Sequence, residues 1–254
     1  MIRGLYLSAT NMVLQRKRMD VVTNNIANVD TAGYKPDKLI SRSFKDMLLS
    51  RVGDPAIVNT YEETGPLNTG VHIDEVVTNF QQGAMMDTGG ASDLGLTTDG
   101  FFVVSTPDGD RYTRDGSFNI TSEGYLVTSD GYYVSGREGN IQIPNVSLGF
   151  TVQVNGTVTD SEGAAVARLR VVNFEDLNDL RKEGDNLYYS FSGQTPVEVE
   201  DYEVRQGYLE GSNAQMALEM VDMMQLYRSY ETSQRVVRMI DESLQKTANE
   251  VGRV

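Results

Sequence analysis

The sequence predicts a mixed α and β fold. N- and C-terminal helices pair as a coiled-coil-like stem, and a central antiparallel all-β domain lies between them. Three observations predict it. Apolar residues recur every seven positions at both ends of the 254-residue chain. Acid–glycine pairs recur through the middle. The negative charge is also concentrated there. Residues 1–51 carry 9 basic and 4 acidic residues, residues 52–201 carry 7 and 24, and residues 202–254 carry 6 and 8, which accounts for the net charge of −14.

The first element is a helix. Leu5, Met12, Met19 and Ile26 are spaced by sevens, with Ile2, Ala9, Val22 and Val29 as a looser second row. Such spacing is the sequence form of a helix that packs on another helix. Residues 36–84 read as an extended linker region: the stretch from Lys35 to Arg51 is expected to hold a short helix, 54–70 is turn-rich, and the stretch from Val71 to Met86 is an extended or strand-like connector. The central domain, 85–207, is punctuated by Asp99-Gly100, Asp108-Gly109, Asp115-Gly116, Glu123-Gly124 and Asp130-Gly131. Between these pairs run FFVVST, RYTR, SFNIT, YLVTS and YYVSG. Short acid–glycine steps flanked by β-branched and aromatic residues are hairpin turns. Asn155-Gly156 supplies another. The last element is again helical. Met216, Met223, Tyr230, Val237 and Leu244 fall every seven residues, and Met220 and Tyr227 form a second row. Ser212-Asn213 is the expected N-cap, and Gly252 lies near the end. The stem therefore combines residues 1–35 with 208–254.

Composition narrows the chemistry. The chain has no cysteine and a single histidine, His72. Zero cysteine excludes disulfides, thiolate metal sites and a cysteine nucleophile. No G-x-S-x-G elbow, P-loop or dinucleotide fingerprint occurs. Asp108, Asp110 and Asp115 sit in or beside glycine turns, where short acidic residues are expected without any catalytic task. Calcium loops of the EF-hand or nonapeptide kind are absent. Tyr132-Tyr133 and Tyr188-Tyr189 could stack on sugars, but such pairs more often occupy the two faces of a strand. No catalytic residue, cofactor site or metal site is assigned. The acidic middle argues against nucleic acid as a partner, and no small-molecule substrate is indicated. The N-terminus lacks the pattern of a cleaved secretory signal, because its basic cluster Arg16-Lys17-Arg18 follows the apolar residues.

At the N-terminus, L-Y-x-S-A-x-x-M followed by R-M-D-x-x-x-N-N-I-A-N-V-D-T-A-G-Y-K closely resembles the signature of bacterial flagellar axial proteins, the rod, hook and related subunits. The C-terminal Q-G-Y-L-E-G-S-N-A, running on through E-M-V-D-M-M-Q-L-Y-R-S-Y-E, resembles the matching signature. DGFFVV and YTRDGSFNITSEGYLVTSDGYYV are similar to the β domain of rod proteins. The resemblance implies a structural subunit with no enzymatic activity. It implies export through the flagellum's type III apparatus without a cleaved signal, and a place in the basal body outside the cytoplasmic membrane. It further implies helical polymerisation with copies of itself and with other rod and hook proteins, inside surrounding ring proteins. The distal rod subunit is the most similar type, followed by the proximal rod subunit and then the hook protein. An exported glycan-binding adhesin is the reading from a different class.

The residues expected to carry assembly are the two seams and the turn motif Asn24, Asn25, Asn28, Thr31, Gly33 and Tyr34. Asn28 stops the helix, and Gly33 supplies a positive φ. Asparagine amides can bond the backbone of a neighbouring chain as well as their own. A valine at Gly33 is expected to block incorporation while leaving the β domain folded. Each buried Leu or Met contributes on the order of 1.5–3 kcal/mol, so the seams are expected to order when neighbouring copies cover them.

Overall fold

The computed structural model describes residues 2–51, 62–67, 70–144 and 149–251. The chain forms two units. One comprises Met1–Ile26, Asp37–Val77 and Gln215–Val254; the other comprises Ala27–Pro36 and Thr78–Ala214.

The first unit holds helix α1, Ile2–Ala27, and helix α2, Met216–Val251. Neither contains proline, and the only glycine within them is Gly4, so nothing interrupts the ladder of backbone hydrogen bonds. α2 starts three residues later than the expected cap. The amides of Leu218 and Glu219 both donate to the Gln215 carbonyl, while Ser212 Oγ accepts from the Ala214 amide just upstream.

Between the helices in sequence runs a β ribbon. Asp37–Ser43 pairs with Val71–Thr78, and Met47–Arg51 pairs antiparallel with Glu62–Leu67. The short helix expected between Lys35 and Arg51 is therefore two strands. The reason is visible at Leu39, which is buried between exposed Lys38 and Ile40. That is a period of two and not of 3.6. The turn-rich stretch over 54–70 falls largely outside the described residues, as does Gly252.

The second unit is antiparallel β, as the glycine punctuation predicts. Its largest sheet has ten strands. Phe101–Thr106 lies inside it, paired along one edge with Gly109–Thr113 and along the other with Tyr133–Gly136 and Val171–Asn173. Phe102 and Val104 enter one hydrophobic cluster with Leu94, Phe118 and Val134. Phe101 and Val103 enter a second with Tyr112, Phe174 and Tyr188. Both faces of this strand are covered, which is why its sequence is a continuous apolar run and not an alternation. The turns at Asp108-Gly109, Glu123-Gly124 and Asp130-Gly131 reverse the chain between paired strands. Asp115-Gly116 does not; Gly116 instead lies against the Leu94 backbone, and the Leu94 amide donates to its carbonyl. A three-stranded sheet of Phe150–Val152, Thr157–Asp160 and Ala165–Arg168 completes the unit, with two short pairs, Leu94–Leu96 with Val204–Gln206 and Met85–Asp87 with Tyr208–Glu210.

Candidate functional site

The two signature stretches meet inside the second unit, at Glu210. Tyr208–Glu210 runs antiparallel to Met85–Asp87, and the Gly211 amide donates to the Ala84 carbonyl at 2.8 Å. Gly83 and Gly211 approach so closely that a Cβ on Gly83 would collide with the Gly211 carbonyl. Backbone crossings of that kind require glycine.

Against this crossing packs the turn that follows α1. The Thr31 amide donates to the Asn28 carbonyl at 3.2 Å, and the Thr31 hydroxyl to Asn28 Oδ1 at 3.2 Å. The Tyr34 amide donates back to the Thr31 carbonyl. Gly33 has φ of 65°, and its amide donates to the Glu210 carbonyl at 2.7 Å. A Cβ there would strike the Arg114–Asp115 backbone. A side chain at Gly33 therefore strains the β unit itself, so the valine substitution would not leave that unit intact. Asn186 Nδ2 donates to the Ala32 carbonyl, and Lys182 Nζ donates to the Lys35 carbonyl and stands 4.2 Å from the centre of the Tyr34 ring.

The centre of the junction is charged. Lys35 and Glu210, with side chains 0% and 1% exposed, form an ion pair at 2.5 Å. Lys35 Nζ also donates to the Gln81 carbonyl at 2.7 Å. Glu210 Oε1 accepts the Gly83 amide at 2.8 Å, and Oε2 accepts Arg114 Nη1 at 3.3 Å. Arg114 further donates to the Thr98 carbonyl and lies over the Phe101 ring. Burial pulls the Lys35 ammonium and the Arg114 guanidinium below their ordinary pKa ranges, with Glu210 pulling the other way on each. Two buried cations share one buried carboxylate, and all three side chains are held by backbone groups as well. Such a cluster stabilises only when every member is satisfied. Asn213 Nδ2 closes the junction by donating to the carbonyls of Asn79 and Gln81. The sequence reading did not single out Lys35, Arg114 or Glu210. The signal available was a lysine and a glutamate inside two glycine-flanked signatures, G-Y-K and L-E-G.

The remaining turn residues lie in the first unit. Asn25, 2% exposed, clamps the backbone of Asp37: its Nδ2 donates to the Asp37 carbonyl and its Oδ1 accepts the Asp37 amide, each at 3.0 Å. The same Nδ2 is 3.4 Å from Glu219 Oε2. Burial raises the Glu219 carboxyl, and the Asn25 hydrogen bond opposes that rise. Asn24 is exposed.

The seam residues divide. Met12, Met19, Ile26, Met223, Tyr230 and Val237 are half-buried, whereas Leu5, Met216, Met220, Tyr227 and Leu244 are exposed. On α2 the row shielded beside Met223, Tyr230 and Val237 is Glu219, Leu226, Ser233 and Ile240. Its glutamate and serine hide it from a search for apolar spacing.

The side chains considered for catalysis or ligand binding do not converge. His72 stacks on Phe44, Asp110 pairs with Arg170, and Asp115 accepts the Ser117 amide and hydroxyl. Tyr188 is buried in the second cluster, and Tyr133 lies opposite Ser105 in the sheet. Among the described residues no three His, Asp or Glu side chains come together to hold a metal ion.

One unit joins the two signature stretches through a buried ion cluster, and the terminal helices of the other keep apolar side chains exposed. The comparisons give this architecture its family. Residues 5–35 match the flagella basal body rod protein family, residues 96–160 the flagellar hook protein FlgE/F/G D1 domain, and residues 205–250 the flagellar basal body rod FlgEFG protein C-terminal family. The chain is 32% identical over 273 residues to the flagellar hook-basal body complex protein FlhO of Bacillus subtilis, covering all of both chains. It is 35% identical over 256 residues to the flagellar basal-body rod protein FlgF of Caulobacter vibrioides, covering 100% of this chain and 98% of that one. It is 34% identical over 262 residues to FlgG of Borreliella burgdorferi, covering 96% and 97%. The chain belongs to the flagellar basal-body rod protein family. It is a structural protein of the flagellar basal body, and that family is not enzymatic.

Proposed function

We propose that this chain is a distal-type rod subunit that polymerises helically through its terminal helices into the hollow drive shaft joining the motor to the hook. The observation that carries the reading is the open face of α2. Leu218, Val221, Met224 and Tyr227 are all exposed, Tyr227 by 61%. A helix that leaves such a face in water has its burial still to come. Contacts that repeat without closing into a ring build a filament. In this reading the partners are further copies of the chain, other rod and hook proteins and the surrounding ring proteins. Copies arrive through the flagellar type III export apparatus without a cleaved signal and act outside the cytoplasmic membrane.

A proximal rod subunit is the second reading, since the relatives include basal-body rod proteins of both the FlgF and the FlgG kind. Electron microscopy of basal bodies from a deletion strain separates the two. A distal subunit leaves a shortened rod without a hook, and a proximal subunit leaves a stub at the inner membrane. A complete rod with its hook attached would overturn both.

A further inference from the structure

Three approaches between α1 and α2 fall on one line. A Cβ on Gly4 would stand 3.4 Å from Ile240 Cδ1. Asn11 Nδ2 donates to Ser233 Oγ at 2.8 Å, and Asn25 Nδ2 lies 3.4 Å from Glu219 Oε2. From Gly4 to Asn11 is seven residues forward, and from Ile240 to Ser233 is seven back. From Asn11 to Asn25 is fourteen forward, and from Ser233 to Glu219 is fourteen back. The two helices run antiparallel in a single register.

The stripe of α1 on this line is Gly4, Ser8, Asn11, Gln15, Arg18, Val22 and Asn25, each buried or half-buried. It is mostly polar, while Leu5, Leu7 and Val13 are exposed. Two helices with heptad spacing can slip by seven residues and still present the same faces to one another. Apolar contact therefore does not select among these registers. The polar groups do. Ser233 and Gln15 are each only 8% exposed. Ser233 Oγ accepts from Asn11 and donates to the Ser229 carbonyl, and Gln15 Nε2 donates to Asn11 Oδ1 at 3.2 Å. A slip of one heptad would set Asn11 opposite Ile240 or Leu226, and its half-buried amide would lose its partner across the seam. Gln15 Oε1 already has none among the described residues.

We propose that Asn11 and Ser233 are positioning residues that pin the register of the α1–α2 pair within each chain, with Gln15 holding the Asn11 amide from one turn along the same helix. The pair then presents one fixed set of apolar side chains outward. The choice of register is made inside the subunit and not by its neighbours. For its consequence in assembly this rests on the rod-subunit reading; the register itself does not.

The chain contains no cysteine, so introduced pairs report register without background. In the full-length chain, Gly4→Cys with Ile240→Cys reads the observed register. Gly4→Cys with Thr247→Cys, and Arg18→Cys with Glu219→Cys, read slips of one heptad in the two directions. Intrachain disulfides, separated by mass from interchain ones, are expected at the first pair and at least tenfold less at the others. Adding Asn11→Leu and Ser233→Leu should bring the slipped pairs to a yield comparable with the first, at unchanged helix content by circular dichroism. If that double variant loses helix, Ser233→Ala alone removes the hydroxyl without adding bulk, and it should raise the slipped yields severalfold. Slipped pairs that stay tenfold down in the apolar variant would overturn the pin. So would equal cross-linking at all three pairs in the parent, or none at any. Because the readout uses the isolated chain, its failure leaves the rod reading standing, and unaltered basal bodies in a deletion strain leave the register standing.

Discussion

Gly33 holds φ of 65°, and a Cβ on it would collide with the Arg114–Asp115 backbone. Gly33→Ala pays for both: a left-handed conformation costs an alanine about 1–2 kcal/mol, and the displaced backbone adds to it. Denaturant unfolding of the full chain should show a loss of about 2 kcal/mol or more. The ion cluster makes a sharper prediction, because its members are not equivalent. Glu210→Gln leaves Lys35 without its paired anion and Arg114 with only the exposed Asp99 at 3.9 Å, and a loss of about 3–5 kcal/mol is expected. Lys35→Met leaves Glu210 paired with Arg114 and should cost clearly less. Equal losses would mean that Arg114 does not share the carboxylate. Glu219 gives a pH test. Its folded carboxyl titrates above the ordinary 4.5 because burial disfavours the charge. Between the unfolded and folded values the folded chain holds the extra proton, so this group's contribution to stability falls as pH rises through that window. Glu219→Gln should therefore raise the melting temperature at pH 7 and lose that advantage below about pH 4, the region of the unfolded carboxyl. Melting curves at the two pH values decide it.

At the scale of elements, the end of α1 is where the chain passes from one unit to the other. Asn25 substitutes for a strand neighbour by bonding both the amide and the carbonyl of Asp37. Asn25→Ala removes both of these bonds from a buried side chain, and a loss of about 1–3 kcal/mol is expected. Amide hydrogen exchange should locate it at Asp37 and the start of its strand. The ribbon of Asp37–Ser43 and Val71–Thr78 was hard to read from sequence because its apolar positions are sparse. Leu39 is the only hydrophobic residue of Asp37–Ser43 that is buried. By contrast Phe101–Val104, covered on both faces, was legible as a strand from four residues.

At the scale of the molecule, assembly and stability should separate on α2. Met224 and Tyr227 are exposed, so replacing both with glutamate should change the stability of the isolated chain by no more than about 0.5 kcal/mol per site. The same pair would place charge on the face that the proposed polymer buries, and basal bodies complemented with this variant should lack a complete rod. Normal motility in that strain would count against the face. Loss of folding in the isolated chain would mean that these residues serve their own unit.

Sequence alone determined the order of elements: a helix, a β region punctuated by acid–glycine turns, and a second helix. Those patterns are local, since a seven-residue apolar period or a hairpin turn is written within a few consecutive residues. The signatures, too, were legible as distinctive segments. That Lys35, Arg114 and Glu210 join in one buried cluster was decided only in three dimensions. Their separations in sequence are long, and a lone charged residue in a motif reads the same whether it faces water or a partner. The α2 row through Glu219 and Ser233 was hidden for the same reason: its polar residues are buried because of what lies across from them on α1, and no periodicity within α2 carries that information.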